Sequence, residues 1–88
     1  MLGPVVPNPF RGSMSATLTL PSPQPVEAAI FDLCGRRVKS LFSGSHAGWL
    51  RIAWDGTDDS GRASHSGVYM LQVHAGTRNL ERKLLLVR

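Results

Sequence analysis

A single cysteine, Cys34, among 88 residues excludes a disulfide framework within the chain. No stretch approaches the roughly 18 consecutive apolar residues of a membrane-crossing helix. No window of about 11 residues carries the i, i+3, i+4, i+7 stripe of an amphipathic helix. Aromatic residues are few, at 7%, and charged residues make up 18%. With 42% hydrophobic residues the chain is nevertheless too apolar for a disordered tail. Met1–Pro7 lacks the cationic start and the unbroken apolar stretch of a secretory signal. By itself the chain is therefore not expected to enter a signal-peptide route: it works inside the cell or as the tail of a longer polypeptide.

What is present is turn chemistry and alternation. Nine glycines and six prolines punctuate a chain long enough for one domain with one thin core. Pro4, Pro7 and Pro9 suggest an extended linker over residues 1–7. Ser15–Leu20 alternates, with Ala16, Leu18 and Leu20 on one face, and Pro21–Pro25 is expected to end that strand. Val26–Phe31, Arg37–Phe42, Trp49–Trp54, Val68–His74 and Arg78–Val87 read as further strands, with one very short strand at residues 62–66. Asp32–Gly35, Ser43–Ser45, Asp55–Gly61 and Ala75–Thr77 read as the turns between them. No internal repeat is apparent. About seven short strands at regular spacing imply an all-β, antiparallel β-sandwich.

Ten Lys and Arg against six Asp and Glu give a net charge of +4. The cations are scattered, without the dense basic stripe and interleaved aromatics of a nucleic-acid binder, so no nucleic-acid partner is expected. A calcium loop starting at Asp55 would need glycine and glutamate where Ser60 and Ser66 stand; Asp55 and Asp58 read instead as acceptors for their own turn. His46, His65 and His74 have no metal-ligand spacing, and Cys34 has no nearby partner, so neither a metal nor a cofactor is expected. No triad or dyad of catalytic groups converges, which argues against an enzyme. Trp54 reads as the largest core anchor and Trp49, of opposite parity, as partly exposed. Leu84-Leu85-Leu86-Val87 is apolar on both faces: either the last strand is covered twice, or it leaves an apolar face or edge for a partner.

Taken in order, Asn8-Pro9-Phe10, Leu20-Pro21, Ile30-Phe31-Asp32-x-x-Gly35-Arg36-x-Val38-x-x-Leu41, Ala47-Gly48, Trp54-Asp55-Gly56-x-Asp58-x-x-Gly61, Ser66-Gly67-Val68-Tyr69 and Lys83-x-x-x-x-Arg88 form a pattern. It resembles the FlgD-like immunoglobulin-like domain, itself close to the C-terminal sorting domain (type A) of bacterial type IX secretion cargo. The likeness covers residues 8–88. It departs at Leu50, where the family often has histidine, and at Phe31, where it often has tyrosine.

The resemblance implies a seven-stranded Greek-key, Ig-like sandwich in which these signature residues are mostly structural. For sorting domains it further implies a tail on a larger exported protein. Such a tail is read by the outer-membrane secretion machinery after passage through the periplasm and is often removed by a sortase-like protease. The cargo then reaches the cell surface or the medium. On that reading Lys83, Leu84, Leu85, Leu86, Val87 and Arg88 are the residues for translocon recognition, and the cargo would lie N-terminal to this chain. The alternative within the same resemblance is a structural Ig-like module, as in the flagellar hook-capping protein or as an accessory domain of an extracellular enzyme.

Overall fold

A computed structural model describes residues 1–88. The chain is all-β, with β1 (Met14–Phe31), β2 (Arg37–Trp54), β3 (Gly67–Ala75) and β4 (Arg78–Leu86). All pairings are antiparallel, in the order β2-β1-β3-β4.

The expected count of about seven strands gives way to four, because β1 and β2 each run through a segment that reads as a break. Pairing between them slips between Leu20 and Gln24, across the prolines, and then resumes. Proline removes a ladder donor but keeps an extended backbone, so it interrupts the hydrogen bonding without ending the extended path. The expected short strand at 62–66 reduces to a single bridge between Thr57 and Ala63.

Length then forces a bend. An 18-residue strand drawn out at about 3.3 Å per residue would span about 59 Å, yet the longest dimension of the molecule is 37 Å. Both long strands must therefore bend, and the pairing slip between Leu20–Gly48 and Gln24–His46 marks the place, so one pair of strands supplies two packed layers. One layer holds the 14–20 half of β1 and the 48–54 half of β2. The other holds their remaining halves with β3 and β4.

The alternation expected from sequence is met on the inner faces. Met14, Ala16, Leu18, Leu20, Ile52 and Trp54 of one layer are buried with Val26, Ala28, Ile30, Leu71, Val73, Leu84 and Leu86 of the other in one core. The indole of Trp54 crosses between layers, with its ring centroid 5.1 Å from that of Tyr69 and 5.5 Å from that of Phe10. Edge-to-face and tilted contacts of this kind suit aromatic quadrupoles.

Residues 1–7, expected as a linker, are extended but packed. Gly3 N–H donates to the Thr17 carbonyl at 2.9 Å, and Val6 and Ser15 exchange bonds of 2.8 and 2.9 Å. Leu2 and Val5 are buried in the same core. The segment thus acts as a third strand of the first layer. At Phe10 the chain crosses over to pair in parallel with Leu86 of the second.

Candidate functional site: the C-terminal strand and the loops that hold it

β4 is an edge strand, and its alternation sorts the expected recognition residues into two groups. Leu84 and Leu86 point inward and are at most 1% exposed. Lys83 and Leu85 lie on the outer face and are exposed, and Val87 is half-buried. The strand is therefore covered once, and Leu85 pairs across the outer face with Val68.

Its open edge is closed by the Asn8-Pro9-Phe10 segment. Asn8 Nδ2 donates to the Lys83 carbonyl at 3.0 Å, and Asn8 Oδ1 accepts from the Leu85 N–H at 3.0 Å. Phe10 N–H then donates to the Leu85 carbonyl at 3.0 Å, and Val87 N–H donates to the Phe10 carbonyl at 2.9 Å. Asparagine suits this place because its side-chain amide carries the same donor and acceptor as a peptide group. Further along β4, the Arg82 guanidinium donates to the carbonyls of Leu2 and Gly3 at 2.5 and 3.3 Å.

Arg88 is a latch rather than a free terminal cation. Its Nη2 donates to the Gly56 carbonyl at 2.6 Å and its Nε to the Ser64 carbonyl at 2.9 Å, while its backbone N–H meets Ser66 Oγ at 2.9 Å. Gly56 suits this place on two counts: its φ is +80°, and a Cβ would stand 2.7 Å from Arg88 Nη2, so a side chain there would push the guanidinium aside. The neighbouring Trp54 Nε1 donates to the Thr57 carbonyl at 2.7 Å, so the indole fixes the start of the same loop.

Two turns share one design. In Asp32-Leu33-Cys34-Gly35-Arg36, Asp32 Oδ1 accepts from the N–H groups of Cys34 and Arg36. In Asp58-Asp59-Ser60-Gly61-Arg62, Asp58 Oδ1 accepts from the N–H groups of Ser60 and Arg62. In each, the aspartate exchanges backbone bonds with the arginine and glycine that follow, and the glycine has φ of +83° or +88°. This short Asp-x-x-Gly-Arg repeat, in which an aspartate side chain mimics a turn of backbone, stands in the sequence twice, at 32–36 and 58–62, and corrects the expectation of no internal repeat. The turns face each other across a cleft of about 430 Å³ lined by Arg36, Arg37, Arg62 and His65. Arg36 is paired to Asp32 at 3.3 Å and Arg37 to Asp59 at 3.4 Å.

The loop carboxylates are held below the ordinary aspartate value by these contacts. For Asp32 the main cause is the Arg36 N–H. For Asp55 it is the Thr57 hydroxyl, at 2.6 Å, and for Asp58 the Ser60 hydroxyl, at 2.7 Å. Hydrogen bonds to the ionised form favour that form. Of the remaining signature residues, Gly67 opens β3 and Tyr69 is buried with its hydroxyl donating to the His65 carbonyl at 2.6 Å.

Comparison with solved structures places the fold among known ones. The chain is similar to part of PorZ, a bacterial surface component of the type IX secretion system of Porphyromonas gingivalis. The TM-score is 0.67 and the identity 21%, covering 96% of this chain and 11% of that one. It is also similar to part of the Pseudomonas fluorescens alkylpurine DNA glycosylase AlkC, with TM-score 0.52 and 19% identity, covering 99% of this chain and 30% of that one. No curated protein matches by sequence. The family profile described as the FlgD Ig-like domain matches residues 4–79, and with the sandwich, the twin turns and the Trp54 core in place, the chain belongs to that family.

Proposed function

We propose that the chain is a C-terminal sorting module, a tail that directs a larger exported protein through a type IX-like outer-membrane translocon. The observation that carries this reading is the likeness of nearly the whole chain to a stretch of PorZ, joined to its family membership. On this reading the partners are the outer-membrane secretion machinery and, by resemblance alone, a sortase-like protease. The location is the periplasm in transit and then the cell surface or medium. On this reading the exposed Lys83 and Leu85 are the residues offered to a translocon, whereas Leu84, Leu86 and Arg88 hold the fold.

A structural Ig-like module is the second reading. It is favoured by the recurrence of the same fold in AlkC, a DNA glycosylase.

Residues 1–88 fused behind a signal peptide and a fluorescent reporter, in a type IX-competent host, test the two. Sorting predicts reporter at the surface or in the medium and its loss with Lys83→Glu/Leu85→Glu, a double variant that leaves the core intact. Reporter retained in the periplasm with a folded tail overturns the sorting reading and leaves the structural one.

A further inference from the structure

A strand edge with unpaired N–H and C=O groups invites another strand, and proteins guard such edges. This sheet guards three places. Asn8 and Phe10 close β4 over Lys83–Val87. Asp59 closes β2 over Val38–Ser40, its N–H donating to the Val38 carbonyl at 2.9 Å and its Oδ1 accepting from Ser40 N–H at 3.0 Å. The His46 ring meets the Trp49 carbonyl at 2.7 Å.

The stretch of β2 from Trp49 to Ala53 has no other guard. Ser15, Thr17 and Thr19 of β1 turn their backbone groups toward residues 1–6, so Ala16 and Leu18 turn theirs toward β2. In an antiparallel ladder their partners Ile52 and Leu50 use both backbone groups on β1. Arg51 and Ala53 therefore present theirs outward and unengaged, and Trp49 its N–H, its carbonyl being held by the His46 ring. The side chains of these three residues are exposed as well, Trp49 to 80%.

We propose that this edge is a binding site for an extended acidic segment of a partner, added as an antiparallel strand to β2 at Trp49–Ala53. Main-chain bonds would supply affinity and alternate side chains specificity. The partner residue opposite Arg51 shares its outward face, where Arg51 has no ion-pair partner, so a carboxylate fits there. The residues opposite Leu50 and Ile52 would share the inward face, where Leu50 is half-buried and Ile52 buried, so apolar side chains fit there. A second copy paired in the register centred on Arg51 would set Arg51 against Arg51, which disfavours that register. This inference is independent of the sorting reading.

The test uses the 88-residue chain and a capped heptapeptide of alternating glutamate and valine, with a lysine–valine counterpart as control. In the free chain the Arg51 and Ala53 amides should exchange at least ~100-fold faster than those of Leu50 and Ile52. Millimolar acidic peptide should slow exchange at Arg51 and Ala53 and leave β4 unchanged, with about a tenfold preference over the basic peptide. Arg51→Glu, at an exposed side chain, should invert that preference. Ala53→Pro should abolish binding in a folded domain, since proline is tolerated where the edge N–H points to solvent. Unchanged exchange at 49–53, equal binding of both peptides, perturbation only at β4 or the turn cleft, or concentration-dependent self-association would each overturn the proposal.

Discussion

Asn8 holds Leu85 as a neighbouring strand would: its side-chain oxygen takes the Leu85 N–H at 3.0 Å while its nitrogen reaches the Lys83 carbonyl. The two residues are 77 positions apart, so this amide ties the start of the chain to its last strand. Replacing Asn8 by alanine removes both bonds but leaves water access to the edge. The expected cost is about 1–2 kcal/mol in urea unfolding, with faster exchange at the Leu85 amide. Asn8→Asp should cost more, because it sets a carboxylate against the Lys83 carbonyl.

The two tryptophans should report opposite environments. Trp54 is 1% exposed and Trp49 80%. Trp49→Phe should leave blue-shifted emission from the buried indole and little change in stability. Trp54→Phe should leave a solvent-like spectrum and cost about 1–3 kcal/mol, since the Thr57 carbonyl loses its donor. Trp54→Ala should cost about 3–5 kcal/mol, enough to unfold much of so small a domain.

Acid should destabilise the loops in a defined window. Asp32, Asp55 and Asp58 have folded-state pKa values lowered from the ordinary 3.8. A lowered folded pKa means that the unfolded chain binds protons more readily, so stability rises with pH up to about the unfolded value. The contribution is fully present above about pH 4 to 5 and is lost as pH falls through the lowered values. Asp58→Asn keeps an acceptor oxygen but does not titrate, and thermal melts from pH 2 to 6 should show a shallower acid limb for it. An unchanged acid limb would contradict this assignment.

The glycines of the loops should not be equivalent. Gly35 and Gly61 have positive φ but open space where a Cβ would go, so alanine at either costs only backbone strain, about 1 kcal/mol. Gly56→Ala adds displacement of Arg88 from its carbonyls and should cost at least twice as much by denaturant midpoint. In the Arg88→Ala background that extra cost should vanish, a coupling measurable by a double-mutant cycle.

Much of the second layer was legible from alternation. Tyr69, Leu71 and Val73 face inward as their spacing predicts, and Val26, Ala28 and Ile30 do the same. The N-terminal strand was not, because Leu2, Val5 and Phe10 have no two-residue period and the prolines between them read as a linker. Pro21–Pro25 misled in the other direction: local rules see lost donors, but not that a bent strand tolerates a gap in its ladder. Of the candidate residues, Trp54 was legible as a core anchor from its size and parity. Arg88 was not legible as a latch, since its partners Gly56 and Ser64 are 32 and 24 positions away.

Because β1 and β2 each pass through both layers, neither layer has a boundary along which it can come away from the other. A tear started at the Trp54 end of the ladder runs along the same two backbones into the half that carries β3. The molecule is thus hinged from one folded ribbon rather than glued from two sheets. It should lose its structure in a single step, with calorimetric and van't Hoff enthalpies in agreement.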